Sequence, residues 1–145
     1  MSDKMRVSLR IDMIPVAKQS FRHTRSGHAY QPKKIIDSSN LIRIQSQYQL
    51  PKGFKPYTKG VIITKLHFLF PPTKAMEKSK YFGIAMSNQE LIYKTTKPDV
   101  DNLIKNLSDS LQGLVFVNDG QIVALDGVKK LYSLKPGIEI ELEEI

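Results

Sequence analysis

Two segments near the ends of the chain alternate strictly between apolar and polar residues, and this pattern constrains the fold more than any other. Residues 5–13 carry an apolar side chain at every odd position and a polar one at every even position. Residues 138–143 repeat the pattern, with isoleucine or leucine alternating with glutamate. A period of two directs one side-chain face to the core and the other to solvent. We therefore expect half-buried strands over residues 5–14 and 137–145.

Proline and glycine mark the limits of the elements between these strands. Pro32 suits the first position of a helix, which we expect to run to about residue 49 because Pro51 follows. The β-branched run at residues 60–70 predicts a strand that ends at a pair of prolines. A short lysine-rich helix over residues 73–81 and a loop up to residue 96 are expected next.

The second half of the chain completes the predicted fold class. A second main helix is expected to begin at Asp99 or Asp101 and to stop at Gly113, a favoured C-terminal residue. Two strands, over residues 121–132 and 137–145, are expected to follow it. The order β-α-β-α-β-β predicts one α+β domain over residues 1–145, in which two main helices flank a mixed sheet.

The chain is strongly basic, with 22 lysines and arginines against 14 acidic residues and a formal net charge of +8. Such an excess favours a polyanionic partner, and nucleic acid is the one we expect. No apolar run reaches the roughly 18 residues of a membrane span, and the N-terminus is not typical of a signal peptide. We therefore expect a cytoplasmic protein with no membrane partner. The lack of cysteine excludes disulfides, thiolate zinc sites and cysteine nucleophiles.

The motif with the most chemical content is Lys-Pro-Asp-Val-Asp-Asn-Leu-Ile-Lys, at residues 97–105. It places Asp99 and Asp101 two residues apart where the second main helix begins, and Lys105 follows one turn later. On a helical wheel at about 100° per residue, Asp101, Lys105 and Asp109 form one column, and Ser108 lies on the same polar side. Four apolar residues fall on a separate arc that faces the core, namely Leu103, Ile104, Leu107 and Leu111.

A third carboxylate, Asp119, follows this helix, and the returning chain can bring it back to the helix start. Three carboxylates suit a hard, oxygen-preferring cation, so Asp99, Asp101 and Asp119 are candidate ligands for Mg²⁺, with Mn²⁺ plausible. Such ions activate water and stabilise the charge that develops on a phosphodiester. Lys105 is the candidate group for orienting the water or neutralising the phosphate.

Each of these residues also has a plainer explanation that involves no chemistry. One aspartate of the pair can cap the helix while the other is solvated. Asp119 can be a turn residue within Asn118-Asp119-Gly120. Lys105 can be a surface lysine paired with Asp101 or Asp109.

At these residues the chain resembles the RusA family of Holliday-junction resolvases. The family signature is Lys-Pro-Asp-x-Asp-Asn-Leu-x-Lys, an acid four residues later, and a second acid before a Gln-Ile or Gln-Val strand. Here these parts are residues 97–105, Asp109 and residues 118–122. The resemblance implies a homodimeric, Mg²⁺-dependent endonuclease that nicks opposed strands of four-way DNA junctions, with essential roles for Asp99, Asp101, Lys105 and Asp119. Members often carry two acids where this chain has Asn118-Asp119, and the second one matches.

Basic residues outside the motif are candidates for contacts with DNA phosphates, which give affinity without sequence information. They are Lys18, Arg22, Arg25, Lys33, Lys34 and Lys97. A solvated basic surface is the alternative for each. Phe21 and Tyr30 either stack on unpaired bases or pack in the core or at a dimer contact. Two other functions remain open at this point: a non-catalytic DNA-binding protein, and a nuclease selective for flaps or replication forks.

Overall fold

A five-stranded mixed sheet organises the fold. The computed structural model of the protein describes residues 6–19 and 22–145, apart from the side chain of Arg22. None of the helices in these ranges is long and apolar enough to cross a lipid bilayer. In chain order the elements are β1 (Arg6–Ile11), β2 (Arg22–His23), β3 (Ala29–Tyr30), α1 (Lys33–Gln49), β4 (Val61–Phe70), α2 (Lys74–Glu77), α3 (Lys80–Ser87), α4 (Val100–Leu111), a 3-10 turn (Asp119–Gln121), β5 (Ile122–Leu125), β6 (Val128–Tyr132) and β7 (Gly137–Glu144).

The two alternating segments are neighbours in the sheet. β7 pairs antiparallel with β1 on one side and with β4 on the other, while β5 and β6 both pair in parallel with β4. Ile140 lies opposite Leu9 in β1 and opposite Leu66 in β4, so the apolar faces of three strands coincide. All three residues are buried. The half-buried strands expected near both ends of the chain, and the α+β class with a mixed sheet, are confirmed.

The region expected to be one strand over residues 121–132 is instead two strands, β5 and β6. The chain bends between them at Gly127, whose φ of +60° lies in the left-handed region that glycine favours. The backbone N–H of Asp126 donates to Ile63 O at 2.8 Å and fixes the bend against β4. The prediction of a single continuous strand was therefore wrong.

Two further elements differ from the sequence-based outline. Residues expected to form a loop contain the helix α3, which buries Phe82. The basic tract after Pro15 contains the short hairpin of β2 and β3. The expected first strand is shorter than predicted because β1 ends at Ile11, and Met5 lies outside the described residues. The predicted helices around residues 32–49 and 101–113 are confirmed as α1 and α4.

The outer edge of β1 is covered by two glutamine side chains of α1. The Gln49 amide accepts from Arg10 N at 2.8 Å and donates to Arg10 O at 2.7 Å. The Gln45 amide repeats this arrangement with Asp12, at 2.8 and 3.1 Å. Since an uncovered strand edge is an unsatisfied row of donors and acceptors, the two amides take the place of a sixth strand. They also fix the position of α1 on the sheet.

Helix α4, which carries the sequence motif, is fixed along its apolar side and at its end. Leu103, Leu107 and Leu111 are at most 2% exposed and belong to the main core. Burying each leucine side chain contributes roughly 1.5–3 kcal/mol. Arg43 of α1 donates through Nη1 to the carbonyls of Ser110 and Gln112, both at 2.9 Å, which places a cation at the C-terminal end of α4. The polar start of α4 is left at the surface.

Candidate active site

The start of α4 exposes two carboxylates. Asp99 occupies the N-cap position, with φ −72° and ψ 142°, but its side chain makes no capping hydrogen bond. Asp101 follows in the first turn and is exposed. Within residues 6–19 and 22–145, neither carboxylate has a hydrogen-bond or ion-pair partner. The positive end of the helix dipole favours negative charge here. The capping explanation therefore does not apply to Asp99, although this aspartate stands at the capping position.

The chain after α4 returns Asp119 to the side of this helix. Lys105 Nζ lies 3.1 Å from Asp119 Oδ2 and 3.0 Å from Asp109 Oδ1. Asn118 provides the turn contacts that were one explanation for Asp119, since its Oδ1 accepts from Gly120 N at 2.8 Å. Gln121 Oε1 accepts from Asn118 N at 2.7 Å and completes the capping box. The Asp119 carboxylate is thus available to Lys105.

The ion pairs extend from Asp119 to the basic tract. Lys18 Nζ lies 3.3 Å from Asp109 Oδ2, so Lys18, Asp109, Lys105 and Asp119 form one sequence of alternating charges, called here the ion-pair chain. The hydrogen bond that Lys105 donates to Asp109, and then the one it donates to Asp119, raise the pKa of Lys105 above its ordinary value. The Lys105 pairing with Asp109 that the helical wheel allowed is present, and Lys105 is held as a cation beside the predicted site.

Two residues of α4 that the helical wheel does not assign to the core, Asn106 and Ser108, are buried, and the loop before the hairpin covers the first of them. Lys18 N donates to Asn102 O at 2.8 Å, and Asn106 Nδ2 donates to Val16 O at 2.9 Å. Asn106 is consequently 2% exposed. Ser108 is 8% exposed for a different reason, because it lies on another side of the helix beside Phe116 and Ile122. The helical wheel placed Ser108 on the open polar side, and this placement was wrong. The Ser108 hydroxyl donates to Lys105 O at 3.1 Å instead.

Lys130 is a candidate functional residue that the sequence pattern did not single out. Its ammonium donates to the carbonyls of Thr96 and Pro98, each at 2.7 Å, immediately before Asp99. Backbone acceptors leave no trace in residue types, so the contact could not be inferred from spacing. The available signal was the strand pattern itself, which puts a lysine where an apolar residue is expected.

The predicted DNA-binding residues divide into two groups. Arg25, Lys33, Lys34 and Lys97 are exposed. Lys18 is only 23% exposed because its side chain turns inward to Asp109. The side chain of Arg22 and the whole of Phe21 lie outside the described residues. Tyr30 is 46% exposed, which excludes core packing and leaves base stacking and a dimer contact as predictions.

The predicted metal ligands are not assembled into one ready cluster. In the described part of the chain, no group of three or more histidine, aspartate or glutamate side chains could hold a metal ion as it stands. Asp119 is held by Lys105, while Asp99 and Asp101 have no hydrogen-bond or ion-pair partner among the residues that the structure describes. Mg²⁺ commonly uses one or two carboxylates and completes its shell with water and phosphate oxygens. The donor set at the start of α4 therefore fits a hard divalent cation.

Comparisons with known proteins agree with the motif. The family model described as Endodeoxyribonuclease RusA matches residues 11–143. A crossover junction endodeoxyribonuclease rusA of Lactococcus phage r1t is 39% identical over 66 residues, which are 45% of this chain and 50% of that protein. The protein YqaN of Bacillus subtilis (strain 168), whose function is uncharacterized, is 44% identical over 55 residues, 38% of each chain. The chain thus spans half or less of the length of these curated relatives.

Proposed function

The chain belongs to the endodeoxyribonuclease RusA family, and we propose that it is a Mg²⁺-dependent endonuclease that resolves four-way (Holliday) DNA junctions. The family is one of divalent-metal-dependent nucleases, and the phage relative is named for junction cleavage. The observation that supports the proposal most is the pair Asp99 and Asp101. Both carboxylates lie at a helix start in a protein of net charge +8, and neither is used for a cap or an ion pair among the described residues.

In this proposal Asp99, Asp101 and Asp119 hold Mg²⁺, or alternatively Mn²⁺, against the DNA backbone. The bound ion supplies activation of the attacking water and stabilisation of charge at the phosphodiester. Lys105 neutralises the phosphate with its ammonium group, which Asp109 anchors independently of Asp119. Asp109 thereby keeps Lys105 beside the helix when the Asp119 carboxylate takes another partner.

The basic surface and the oligomeric state complete the proposal. Exposed Arg25, Lys33, Lys34 and Lys97, together with Lys18 and Arg22, contact phosphates along the junction arms. Nicks in two opposed strands need two active sites, so the functional unit is a homodimer with twofold symmetry. Each copy then cuts one strand.

The experiment compares cleavage of a synthetic four-way junction, a flap and a linear duplex of the same sequence. We expect paired nicks in the junction with Mg²⁺, none in EDTA, and much slower cutting of the flap and duplex. Asp101→Asn is expected to abolish cleavage while junction binding in EDTA survives, because the carboxylate binds the cation rather than DNA. Junction cleavage unchanged in this variant would overturn the catalytic assignment and favour a non-catalytic role for the aspartates. Faster cutting of the flap than of the junction would identify a flap or replication fork, rather than a four-way junction, as the substrate.

A further inference from the structure

Lys130 lies on the core-facing side of its strand. β6 pairs in parallel with β4, where Lys130 is opposite the buried Phe68 and Lys129 is opposite His67 on the other face. Flanking residues on the same side, Val128 and Tyr132, pack against the core. A lysine ammonium at such a position needs polar partners, because an unpaired cation away from water is costly.

The partners of Lys130 are the two carbonyls on either side of Lys97. Nζ donates to Thr96 O and to Pro98 O, both at 2.7 Å. Because the Pro98 carbonyl belongs to the peptide unit that also contains the Asp99 nitrogen, this contact fixes the orientation of the backbone that enters Asp99. Hydrogen bonds with a charged donor are stronger than those between neutral groups.

The segment before α4 is fixed to the same strand at further points. Lys94 N donates to Lys130 O, and Tyr132 N donates to Ile92 O, both at 2.9 Å. The Lys94 ammonium lies 5.2 Å from the centre of the Tyr132 ring and donates to Thr96 Oγ1 at 2.8 Å. Lys130 extends this attachment beyond Thr96, because its ammonium reaches the carbonyl of the residue preceding Asp99.

The position of Asp99 depends on this backbone contact, because its side chain does not make the capping hydrogen bond that usually fixes an N-cap aspartate. An N-cap aspartate is normally held by its own hydrogen bond to the first turn of the helix, and Asp99 makes none. Its carboxylate is left for a ligand, and its position must come from the backbone. Lys130 also brings a positive charge to a helix start that carries two carboxylates.

We propose that Lys130 is a positioning residue that fixes the backbone ahead of Asp99 and so prepares the Asp99–Asp101 pair to bind the metal ion. The inference rests on the proposed function for the identity of the ligand. It does not require Lys130 to touch the metal or the DNA. Groups that orient metal ligands typically change metal affinity by about 10- to 100-fold when they are removed.

The test uses Lys130→Met, with Lys129→Met as the matched control. Both variants remove one lysine from adjacent positions of β6, but the Lys129 side chain lies on the opposite face of the sheet. Hydrogen exchange of the amides in residues 96–103 is measured by mass spectrometry without metal, and Mn²⁺ affinity is measured by electron paramagnetic resonance. We expect faster exchange in this segment and a roughly 10-fold weaker Mn²⁺ affinity in Lys130→Met only. Lys130→Arg, which can donate to both carbonyls, is expected to restore most of the affinity.

Equal exchange and equal Mn²⁺ affinity in Lys130→Met and Lys129→Met would overturn the inference. Should Lys130→Met not fold, Lys130→Gln takes its place, since glutamine is polar but too short to span both carbonyls. The exchange measurement is independent of the proposed function. A wild type that cuts no DNA refutes the nuclease, while unchanged exchange in the Lys130 variants refutes the positioning role.

Discussion

Two sets of carboxylates in this molecule have opposite surroundings. Glu139, on the sheet face away from α4, accepts from Arg10 Nη1 at 2.7 Å and lies 3.4 Å from Lys65 Nζ. Asp99 and Asp101, at the start of α4, have no bonded partner in the described part of the chain. Lysine and arginine outnumber the acidic residues in this protein, so the contrast between the paired and the open carboxylates comes from where the fold places the basic side chains. The fold neutralises an acid that stabilises the sheet and leaves open the acids that are available to a ligand.

Neutralising either open aspartate is expected to change activity most, and neutralising Glu139 serves as the comparison. Asp99→Asn and Asp101→Asn are expected to lower junction cleavage by about 100-fold or more, as removal of a charge-stabilising group commonly does. Their free energies of unfolding should stay within about 0.5 kcal/mol of wild type, because among the described residues these carboxylates have no hydrogen bond or ion pair to lose and only their attraction to the helix dipole is weakened. Glu139→Gln should keep full activity but lose about 1 kcal/mol, or about 3 °C in Tm, because it weakens a charged hydrogen bond.

Cleavage rates and thermal melts on the same three variants measure this contrast. The comparison fails if Asp101→Asn melts well below wild type, since the carboxylate would then have a structural role. It also fails if Glu139→Gln loses as much cleavage activity as the aspartate variants do.

The carboxylates of the ion-pair chain are paired, as Glu139 is, but they lie beside the open aspartates. Substitution of Asp109 tests what this pairing contributes. Asp109→Asn removes one of two anchors of Lys105 while Asp119 remains 3.1 Å away. We expect kcat to fall by about 10-fold, one decade for roughly 1.4 kcal/mol of lost transition-state stabilisation. KM should stay unchanged or fall, because Lys18 is released from its ion pair and becomes available to DNA.

The matched control is Asp37→Asn, which removes an equal charge from an exposed position 3.9 Å from Lys33. It is expected to leave kcat near wild type, while KM stays unchanged or falls slightly because Lys33 is released in turn. A kcat as low as that of Asp101→Asn would mean that Asp109 contributes directly to the site. An unchanged kcat would mean that Asp119 alone holds Lys105.

The sequence predicted those features that depend on the periodicity of apolar residues and on the residue preferences of turns. The helical wheel identified the buried leucines of α4, and the proximity of Asp119 to the helix followed from the returning chain. The wheel misplaced Ser108 because it assigns residues by angle alone, whereas in the fold Phe116 and Ile122 lie around this position. Lys130 was missed for a related reason, since its acceptors are backbone carbonyls brought near by the sheet. A hydrogen bond from a side chain to the backbone of a distant segment cannot be recognised from the residue types around it.

A pH series tests the Glu139 side of this comparison, because Glu139 contributes to stability through its paired charge. Burial alone would raise the pKa of Glu139, but the hydrogen bond from Arg10 and the charges of Lys65 and Arg10 outweigh it and lower the pKa below its ordinary value of 4.5. The folded state then binds fewer protons than the unfolded state near this value. The stabilisation is therefore fully present above pH 4.5 and disappears as the pH falls through the folded-state pKa.

Urea unfolding of wild type and Glu139→Gln from pH 7 to pH 3 measures this pH-dependent contribution to the free energy of unfolding. At pH 7 the two proteins should differ by about 1 kcal/mol, a value already reduced for the partial exposure of the pair to solvent. The difference should shrink below pH 4.5, because protonated Glu139 and the glutamine of the variant present similar neutral groups to Arg10. A difference that persists unchanged at pH 3 would show that packing rather than charge distinguishes the variant. Glu139 would then no longer serve as the paired counterpart of the open aspartates.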